Sequence, residues 1–249
     1  MATCRKLFVV GTGTDVGKTY VSALIVKKMT SAGARIGYFK AATSGYGYDA
    51  SGRAISGEAL FVKEFSGLTQ EVETACPFNY ARAVSPHLAA RLESKPYDQG
   101  VVDRAFETVC SQFDYVVIEG SGGLFCPLRM EGEDRILILD LIERWKAPCL
   151  VVSDSGLGSI NDATLTLLTL ATYGAQTVGV AFNRYDAADV MRVDNVEVVK
   201  TLTSAPVVAR IPEGARTLDL DVEIVRSWFG ERCERGEFVV ESSSLLARS

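Results

Sequence analysis

Six short apolar runs alternate along the chain with segments of helical spacing, and this alternation constrains the fold more than any other feature. The apolar runs are Leu7–Val10, Ile36–Phe39, Tyr115–Ile118, Cys149–Val152, Val178–Phe182 and Val207–Ile211. They are almost continuously apolar, as strands covered on both faces are. The helix-like segments are Lys18–Thr30, Gln99–Gln112, Ile136–Trp145, Ile160–Tyr173 and Val193–Thr203. This order predicts an α/β fold with a doubly wound, mainly parallel sheet and helices on both faces.

The length of 249 residues suits a single domain spanning 1–249. The segment Thr43–Gly57 is rich in Gly, Ser and Tyr, and we expect an ordered loop at the sheet edge there. After about residue 240 the chain becomes a polar tail with three consecutive serines, which we expect to be disordered.

Composition excludes several classes of function. The chain has 26 Lys and Arg against 31 Asp and Glu, so its net charge of −5 argues against a broad positive face for nucleic acid. No segment approaches the roughly 18 consecutive apolar residues of a membrane span, and no apolar signal region follows Met1. The six cysteines form no C-x-x-C pair and His87 is the single histidine, which argues against zinc. We therefore expect a cytoplasmic protein that binds neither nucleic acid nor membrane.

The first candidate site is the run Gly11–Thr19, which lies between a predicted strand and a predicted helix. Its three glycines let backbone N–H groups turn toward phosphate oxygens, and the helix amino terminus adds positive charge. Lys18 can reach the β and γ phosphates, and the Thr19 hydroxyl can bind Mg²⁺. The strict G-x-x-x-x-G-K-[ST] pattern is not met, because Thr12 stands where its first glycine would fall. The run predicts a nucleotide phosphate loop.

A second lysine, Lys40, directly follows the run Ile36–Phe39. Because the carboxyl ends of parallel strands meet at one edge of the sheet, we expect Lys40 to point into the same crevice as the loop. Two lysines on one γ-phosphate suit phosphoryl transfer, in which charge on the phosphoryl oxygens must be stabilised. The sequence thus predicts catalytic roles for Lys40 and Lys18, with the hydroxyls of Thr14 and Ser44 beside them. Taken alone, Lys40 is equally typical of an exposed lysine at a strand end.

An acidic residue, Glu119, follows the run Tyr115–Ile118 and precedes a glycine-rich turn. An acid after an apolar strand is the Walker B arrangement, which holds Mg²⁺ from the side opposite Thr19. Glu58 is a weaker candidate, since a glutamate near a helix start is also a common surface feature. The predicted metal ligands are therefore Thr19, Glu119 and Glu58.

Together these three sites resemble the dethiobiotin synthetase family. The family's G-T-x-T-x-V-G-K-T loop is matched by Gly11–Thr19, its K-P-V-x-S-G is similar to Lys40–Gly45, and its E-G-A-G-G is similar to Glu119–Gly123. Ser85–His87 and Leu157–Asn161 also look like family segments, so the resemblance runs from about residue 6 to residue 214. It implies the P-loop NTPase type of fold.

The resemblance implies a MgATP-dependent ligase of biotin biosynthesis. Such an enzyme converts 7,8-diaminopelargonate and CO₂ to dethiobiotin, with ADP and phosphate as the other products. The reaction passes through a carbamate and a carbamic–phosphoric anhydride. The resemblance also implies a homodimer, in which the substrate carboxylate meets a helix amino terminus of the neighbouring subunit.

Carried over by position, the resemblance implies a set of binding residues. Those for the nucleotide and its metal are Gly13, Thr14, Asp15, Val16, Gly17, Lys18, Thr19, Tyr20, Glu58, Glu119, Gly120, Ser121, Gly122, Asn183, Arg184, Pro212, Glu213 and Gly214. Those for the substrate are Ser44, Ser159, Ile160 and Asn161, and Ser159 is typical of a helix N-cap. Three positions depart from the family pattern: Gly13, Ala41 in place of proline, and Glu58 in place of aspartate.

Two alternatives stay open from the sequence. A MinD- or ParA-like nucleotide switch would carry an additional lysine at the position of Gly13, and a basic amphipathic helix at the carboxyl terminus would suit membrane binding. A divergent, inactive homologue would keep the motifs as a binding module. A cobyrinate-type amide ligase shares the fold, but this chain has no room for the glutaminase domain that such ligases usually carry.

Overall fold

The computed structural model describes residues 4–48 and 51–230. Its elements, in chain order, are β1 (Arg5–Gly11), α1 (Lys18–Ser31), β2 (Ile36–Lys40), β3 (Ala42–Ser44), β4 (Gly47–Tyr48), β5 (Ala54–Ile55), α2 (Gly57–Ser66), α3 (Val72–Ala75), β6 (Phe78–Tyr80), α4 (Pro86–Leu92), α5 (Gln99–Gln112), β7 (Tyr115–Glu119), β8 (Pro127–Glu131), β9 (Asp134–Leu137), α6 (Ile138–Trp145), β10 (Cys149–Asp154), α7 (Ser159–Thr172), β11 (Thr177–Asn183), α8 (Val190–Thr203), β12 (Val207–Ile211) and α9 (Val222–Ser227). The tail after about residue 240, for which we expect disorder, lies outside these ranges. None of the helices in them is long and apolar enough to cross a membrane.

Six strands form the central sheet, in the order β12-β11-β10-β1-β7-β2. Every neighbouring pair in this sheet is parallel. These are the six strands that the apolar runs predict, so the predicted doubly wound parallel sheet is confirmed. The first strand lies inside the sheet, between β10 and β7, which places the loop after β1 near the middle of its carboxyl edge.

Successive residues of the strands enter two separate hydrophobic layers, one on each face of the sheet. In β1, Phe8 and Val10 join the layer packed by α4 to α8, whereas Leu7 and Val9 join the layer packed by α1, α2, α3 and α9. All four side chains are at most 1% exposed. Because both faces are buried, these strands are apolar throughout, and helices pack against both sides of the sheet.

The structure corrects three boundaries that the sequence pattern suggests. The segment Thr43–Gly57, expected to be a loop, includes the short strands β3, β4 and β5. The helix expected from Ile136 begins at Ile138, because residues 134–137 pair with β8 as the second strand of a hairpin. The helix expected from Val193 begins at Val190, where the side chain of Asp189 accepts hydrogen bonds from the first free N–H groups.

Candidate active site

The loop between β1 and α1 is compact and turns its lysine inward. Gly17 is the N-cap of α1 and has φ of 97°, a left-handed conformation that residues with a Cβ rarely adopt. A Cβ at Gly17 would also lie 2.0 Å from Nδ2 of Asn183. Lys18 is 7% exposed, and its Nζ donates to the main-chain oxygen of Gly13 at 2.7 Å. The backbone conformation that the glycines permit therefore brings Lys18 over the loop, as a phosphate site requires.

Lys40 and Glu119 are paired positions at the carboxyl ends of the neighbouring strands β2 and β7. Each residue is only 2% exposed, and Lys40 Nζ donates to Glu119 Oε1 at 2.8 Å. The same carboxylate oxygen accepts a hydrogen bond from Thr19 Oγ1 at 2.8 Å. The structure thus brings together Lys40, Glu119 and the end of the loop, which the sequence places 21 to 100 residues apart.

Glu58 joins this cluster from the opposite side of Lys40. Its Oε1 accepts a hydrogen bond from Lys40 Nζ at 2.7 Å. Its Oε2 accepts hydrogen bonds from the hydroxyl of Thr43 and, at 3.4 Å, from that of Ser56. Ser56 is also the N-cap of α2 and accepts from the N–H of Ala59, so the start of α2 sets the position of Glu58. Glu58, which stands where the family resemblance implies an aspartate, therefore lies beside Lys40 in this cluster.

Burial and ion pairing together set the charges of the cluster. Burial opposes the charge of Lys40, but the carboxylates of Glu119 and Glu58 outweigh it and raise the Lys40 pKa above its ordinary value. Burial likewise opposes ionisation of Glu119, but Lys40, Lys18 and the Thr19 hydroxyl outweigh it and lower the Glu119 pKa. Burial lowers the Lys18 pKa; the charge of Lys40 lowers it further, although Glu119 acts in the opposite direction. An anion bound beside Lys18 would therefore favour its charged form.

The donor atoms of this cluster fit Mg²⁺. Thr19 Oγ1 and the carboxylates of Glu119 and Glu58 are oxygen ligands, which this ion prefers. Among residues 4–48 and 51–230, no group of three His, Cys, Asp or Glu side chains could hold a metal ion by itself. Mg²⁺ is usually bound by one or two carboxylates together with substrate phosphates, so the cluster suits an ion that arrives with a nucleotide.

A cleft of about 1020 Å³ opens beside the cluster. The predicted site residues that line it are Thr14, Asp15, Gly17, Lys18, Thr19, Tyr20, Lys40, Ser44, Glu58, Glu119, Ser121, Gly122 and Arg184. Both lysines and both hydroxyl residues assigned catalytic roles from the sequence are in this set. The cleft therefore joins the phosphate loop to the ends of β2, β3 and β7.

Several predicted residues support the cleft wall instead of lining it. Asn183 donates to the main-chain oxygen of Val16 at 3.1 Å, which ties β11 to the loop. A Cβ at Gly120 would lie 3.3 Å from side-chain atoms of Ile138 and Phe8, so Gly120 faces the core. The segment Pro212–Gly214 follows β12 outside the cleft lining.

One predicted binding residue, Arg184, is held by a contact that the sequence does not suggest. Arg184 Nη2 donates to the main-chain oxygen of Asp15 at 2.9 Å, and its Nη1 donates to Asp154 Oδ2 at 2.6 Å. Tyr20 is tied in a similar way, because its hydroxyl donates to the main-chain oxygen of Ala215. The phosphate loop and the start of α1 are thus connected to the ends of β10, β11 and β12.

The substrate residues expected at a helix amino terminus lie at the start of α7, which does not line this chain's own cleft. The assignment of Ser159 as the N-cap is wrong. The N-cap is Gly158, with φ of 93°, and no side chain caps the helix. Ser159 is the first helical residue, and its buried hydroxyl has no hydrogen-bond partner in the structure. Leu157, just before the helix, is 94% exposed.

Sequence reasoning missed several residues of the cleft wall. Thr43, Phe61, Val84 and Cys126 line the cleft together with predicted residues. Phe61 belongs to α2, a helix for which the capping serine and the acidic first turn are a readable signal. Cys126 lies beside Gly122, at the end of the glycine-rich turn, and no motif in the sequence distinguishes it from other cysteines.

Comparison with known proteins identifies relatives across most of the chain. A family model described as an AAA domain matches residues 5–218. The ATP-dependent dethiobiotin synthetase BioD of Brachyspira hyodysenteriae is 37% identical over 86% of this chain and 95% of the relative. The enzyme of the same name from Clostridium novyi is 38% identical over 83% of this chain and 86% of the relative.

Solved structures give a likeness of fold. The MinC:MinD cell division protein complex of Aquifex aeolicus contains a chain that superposes with a TM-score of 0.52, covering 94% of this chain and 100% of that one. The sequence identity is 15%. A likeness at this identity concerns the arrangement of strands and helices alone.

Proposed function

The chain belongs to the family of ATP-dependent dethiobiotin synthetases, and we propose that its cleft carries out the reaction of a cyclo-ligase of that family. The substrates are 7,8-diaminopelargonate, CO₂ and MgATP, and the products are dethiobiotin, ADP and phosphate. The observation that carries this proposal is the cluster in which Glu119 joins Lys40 to Thr19 at the end of the phosphate loop.

The phosphate loop binds and orients the nucleotide. Its backbone N–H groups and the amino terminus of α1 face the phosphates, and Lys18 exchanges its bond to the Gly13 carbonyl for phosphate oxygens. Bound Mg²⁺, held by Thr19, Glu119 and Glu58, would neutralise charge on the β and γ phosphates. Asn183, Arg184 and the segment Pro212–Gly214 would take the base.

Lys40 stabilises the phosphoryl transfer. One amine of the substrate adds to CO₂ and loses a proton to give a carbamate, whose oxygen attacks the γ-phosphorus while ADP leaves. Charge spreads over the equatorial oxygens at that moment. An ammonium has three N–H donors, so Lys40 can turn one toward those oxygens while its carboxylate partners hold it in place.

The second amine closes the ring. It attacks the carbonyl carbon of the carbamic–phosphoric anhydride, expels phosphate and loses a proton, which leaves the cyclic urea of dethiobiotin. The hydroxyls of Thr14 and Ser44 line the cleft and can hydrogen-bond the carbamate or the amine. No covalent bond to the chain forms in either step.

We propose that the active unit is a cytoplasmic homodimer of single-domain subunits. The start of α7, with Ser159, Ile160 and Asn161, would hold the substrate carboxylate at the cleft of the neighbouring subunit. One observation supports this: these residues lie outside the cleft of their own subunit.

Release of phosphate tests the proposed reaction. With MgATP present, we expect phosphate to appear only when both 7,8-diaminopelargonate and bicarbonate are added, in equal amount to dethiobiotin. ATP hydrolysis at the same rate with and without the diamine would contradict the proposed ligase reaction. That result would favour a nucleotide switch instead, although Gly13 stands where such switches carry a lysine.

A further inference from the structure

Tyr38 lies directly behind the metal-side carboxylate. It is a residue of β2, two positions before Lys40 and therefore on the same face of the strand. Its ring is fully buried, at 0% exposure, and its hydroxyl donates to Glu119 Oε2 at 2.8 Å. No motif in the sequence marks Tyr38, and the reaction as described above does not use it.

The two oxygens of Glu119 have different partners. Oε1 accepts from Thr19 Oγ1 and from Lys40 Nζ, both at 2.8 Å, and this is the oxygen on the phosphate-loop side. Oε2 accepts from the Tyr38 hydroxyl. Because the Glu119 side chain is 0% exposed, water cannot take over the bond to Oε2. Together with the Thr19 and Lys40 bonds to Oε1, the Tyr38 bond therefore fixes the orientation of the carboxylate plane.

Tyr38 is itself held at both ends. At one end its hydroxyl is held by the bond to Glu119 Oε2. Its main-chain N–H donates to Gln70 Oε1 at 2.8 Å, and its main-chain oxygen accepts from Gln70 Nε2 at 3.0 Å. Since β2 is the last strand of the sheet, Gln70 pairs backbone groups that an edge strand would otherwise leave open.

We propose that Tyr38 is a positioning residue for Glu119. By holding Oε2, the Tyr38 hydroxyl orients the carboxylate so that its other oxygen faces the nucleotide-bound divalent cation. The inference rests on the proposed function in requiring a MgATP site in this cleft. Tyr38 touches neither nucleotide nor substrate and so acts only through Glu119. Partners behind a metal-binding carboxylate fix its orientation, and their loss typically lowers metal affinity or activity by about 10- to 100-fold.

The test is the effect of Mg²⁺ on the affinity for ADP, measured by calorimetry with Mg²⁺ and with EDTA. In Tyr38→Phe we expect the dissociation constant in EDTA to stay within about twofold of wild type, because the phosphate loop is intact. We expect the gain in affinity that Mg²⁺ gives to fall by about tenfold or more. In turnover, the Mg²⁺ concentration for half-maximal rate should rise by a similar factor.

Two other buried tyrosines provide matched controls. Tyr97 is 1% exposed and its hydroxyl donates to Gln99 Oε1 at 3.1 Å, so Tyr97→Phe removes an equivalent bond away from the cleft. Tyr80 is 0% exposed and its hydroxyl has no hydrogen-bond partner within residues 4–48 and 51–230, so Tyr80→Phe removes the oxygen alone. Both controls should keep the full Mg²⁺ effect.

The outcomes separate this inference from the proposed function. A Tyr38→Phe protein with the wild-type Mg²⁺ effect, or an equal loss in Tyr97→Phe, would overturn the positioning role alone. If the wild-type protein binds ADP with the same affinity in Mg²⁺ and in EDTA, the metal site and the positioning role are both overturned. If Tyr38→Phe does not fold, Gln70→Ala decides, because it frees the Tyr38 backbone: a reduced Mg²⁺ effect supports the role, and an unchanged one overturns it.

Discussion

Lys40 keeps its charge inside the sheet because two carboxylates meet it there. An isolated buried ammonium would lose its proton or the chain would lose stability, since burial strongly disfavours an unpaired charge. Here Glu119 and Glu58 lie 2.8 and 2.7 Å from Lys40 Nζ. A lysine held in this way is already oriented before the nucleotide binds, so it needs little rearrangement during phosphoryl transfer.

Replacement of Lys40 by methionine tests this role at the level of one residue. Met keeps the aliphatic length and removes the charge, so we expect kcat to fall by about 100- to 1000-fold. The affinity for ADP, measured by calorimetry, should change by less than about fivefold, because the interaction acts mainly in the transition state. Lys6→Met is the control: Lys6 Nζ donates to the Trp145 carbonyl at 3.2 Å, away from the cleft. A normal kcat in Lys40→Met would remove Lys40 from the chemistry.

The sequence was most informative for residues that directly follow a buried strand. Lys40, Glu119 and the phosphate loop were predictable because parallel strands end at one edge of the sheet, whatever their separation in the chain. The prediction that Glu58 belongs to the site was weaker. The position of Glu58 is set by the Ser56 cap, by the short helix α2 and by the Thr43 hydroxyl, and none of these gives a long periodic pattern in the sequence. No sequence signal marks Tyr38, because the apolar pattern of a buried strand is the same whether or not the tyrosine hydroxyl contacts a functional carboxylate.

At the level of elements, Asp154 connects three parts of the sheet edge. It ends β10 and accepts hydrogen bonds from Arg184 at 2.6 Å, from Arg192 at 3.2 Å and from the Gly156 N–H at 2.6 Å. Arg184 in turn contacts the phosphate loop, and residue 156 belongs to the turn before α7. Burial opposes ionisation of Asp154, but these hydrogen bonds and the two arginine charges outweigh it and lower its pKa.

The lowered pKa predicts how stability depends on pH. A carboxyl whose pKa is lower in the folded state stabilises the fold above its unfolded pKa, and that contribution is lost as pH falls through the folded pKa. We expect Asp154→Asn to reduce the free energy of unfolding by about 1 kcal/mol at pH 7, measured with urea. The difference from wild type should shrink as the pH falls below about 4 and through the lowered pKa of the folded state.

A surface ion pair provides the control for this measurement. Asp114 lies 3.7 Å from Arg35, and both side chains are more than half exposed. Exposed pairs of this kind contribute little, so Asp114→Asn should leave the free energy of unfolding nearly unchanged at either pH. An Asp154→Asn effect that is the same at pH 7 and at pH 3 would show that the ionised carboxylate is not what matters.

The long strands and helices were predictable, and the short ones were not. All six strands of the sheet follow from apolar runs of four or five residues, and α5 has the predicted bounds Gln99–Gln112. Between residues 42 and 98, however, strands of two or three residues and helices of four to ten residues are too short for periodicity to detect. The Ser85 cap followed by Pro86 is the kind of local signal that would have identified the start of α4.

At the level of the whole molecule, the proposed dimer predicts that two defective subunits can restore one site. Lys40→Met disables a subunit's own cleft. Asn161→Glu places a negative charge at the exposed start of α7 and should repel the substrate carboxylate at the neighbour's cleft. A mixed dimer then contains one cleft with neither change. We expect co-expressed subunits to be more active than the average of the two separate variants, at a mass near twice 26.9 kDa.

The mixed dimers give a different result if the site is not shared between subunits. If α7 served the cleft of its own subunit, one chain of the mixed dimer would be defective at Lys40 and the other at Asn161. Activity would then equal the average of the two parent variants. Light scattering that gave the mass of one chain under assay conditions would contradict the shared site more directly.

The path of oxygen from bicarbonate tests the central chemistry most directly. In the proposed reaction a carbamate oxygen attacks the γ-phosphorus that Lys18 and Lys40 face, and this oxygen departs with phosphate when the ring closes. With ¹⁸O-labelled bicarbonate, 7,8-diaminopelargonate and MgATP, mass spectrometry of the released phosphate should show one oxygen atom per molecule that derives from bicarbonate. Unlabelled phosphate, released while labelled bicarbonate is still present, would contradict attack by the carbamate.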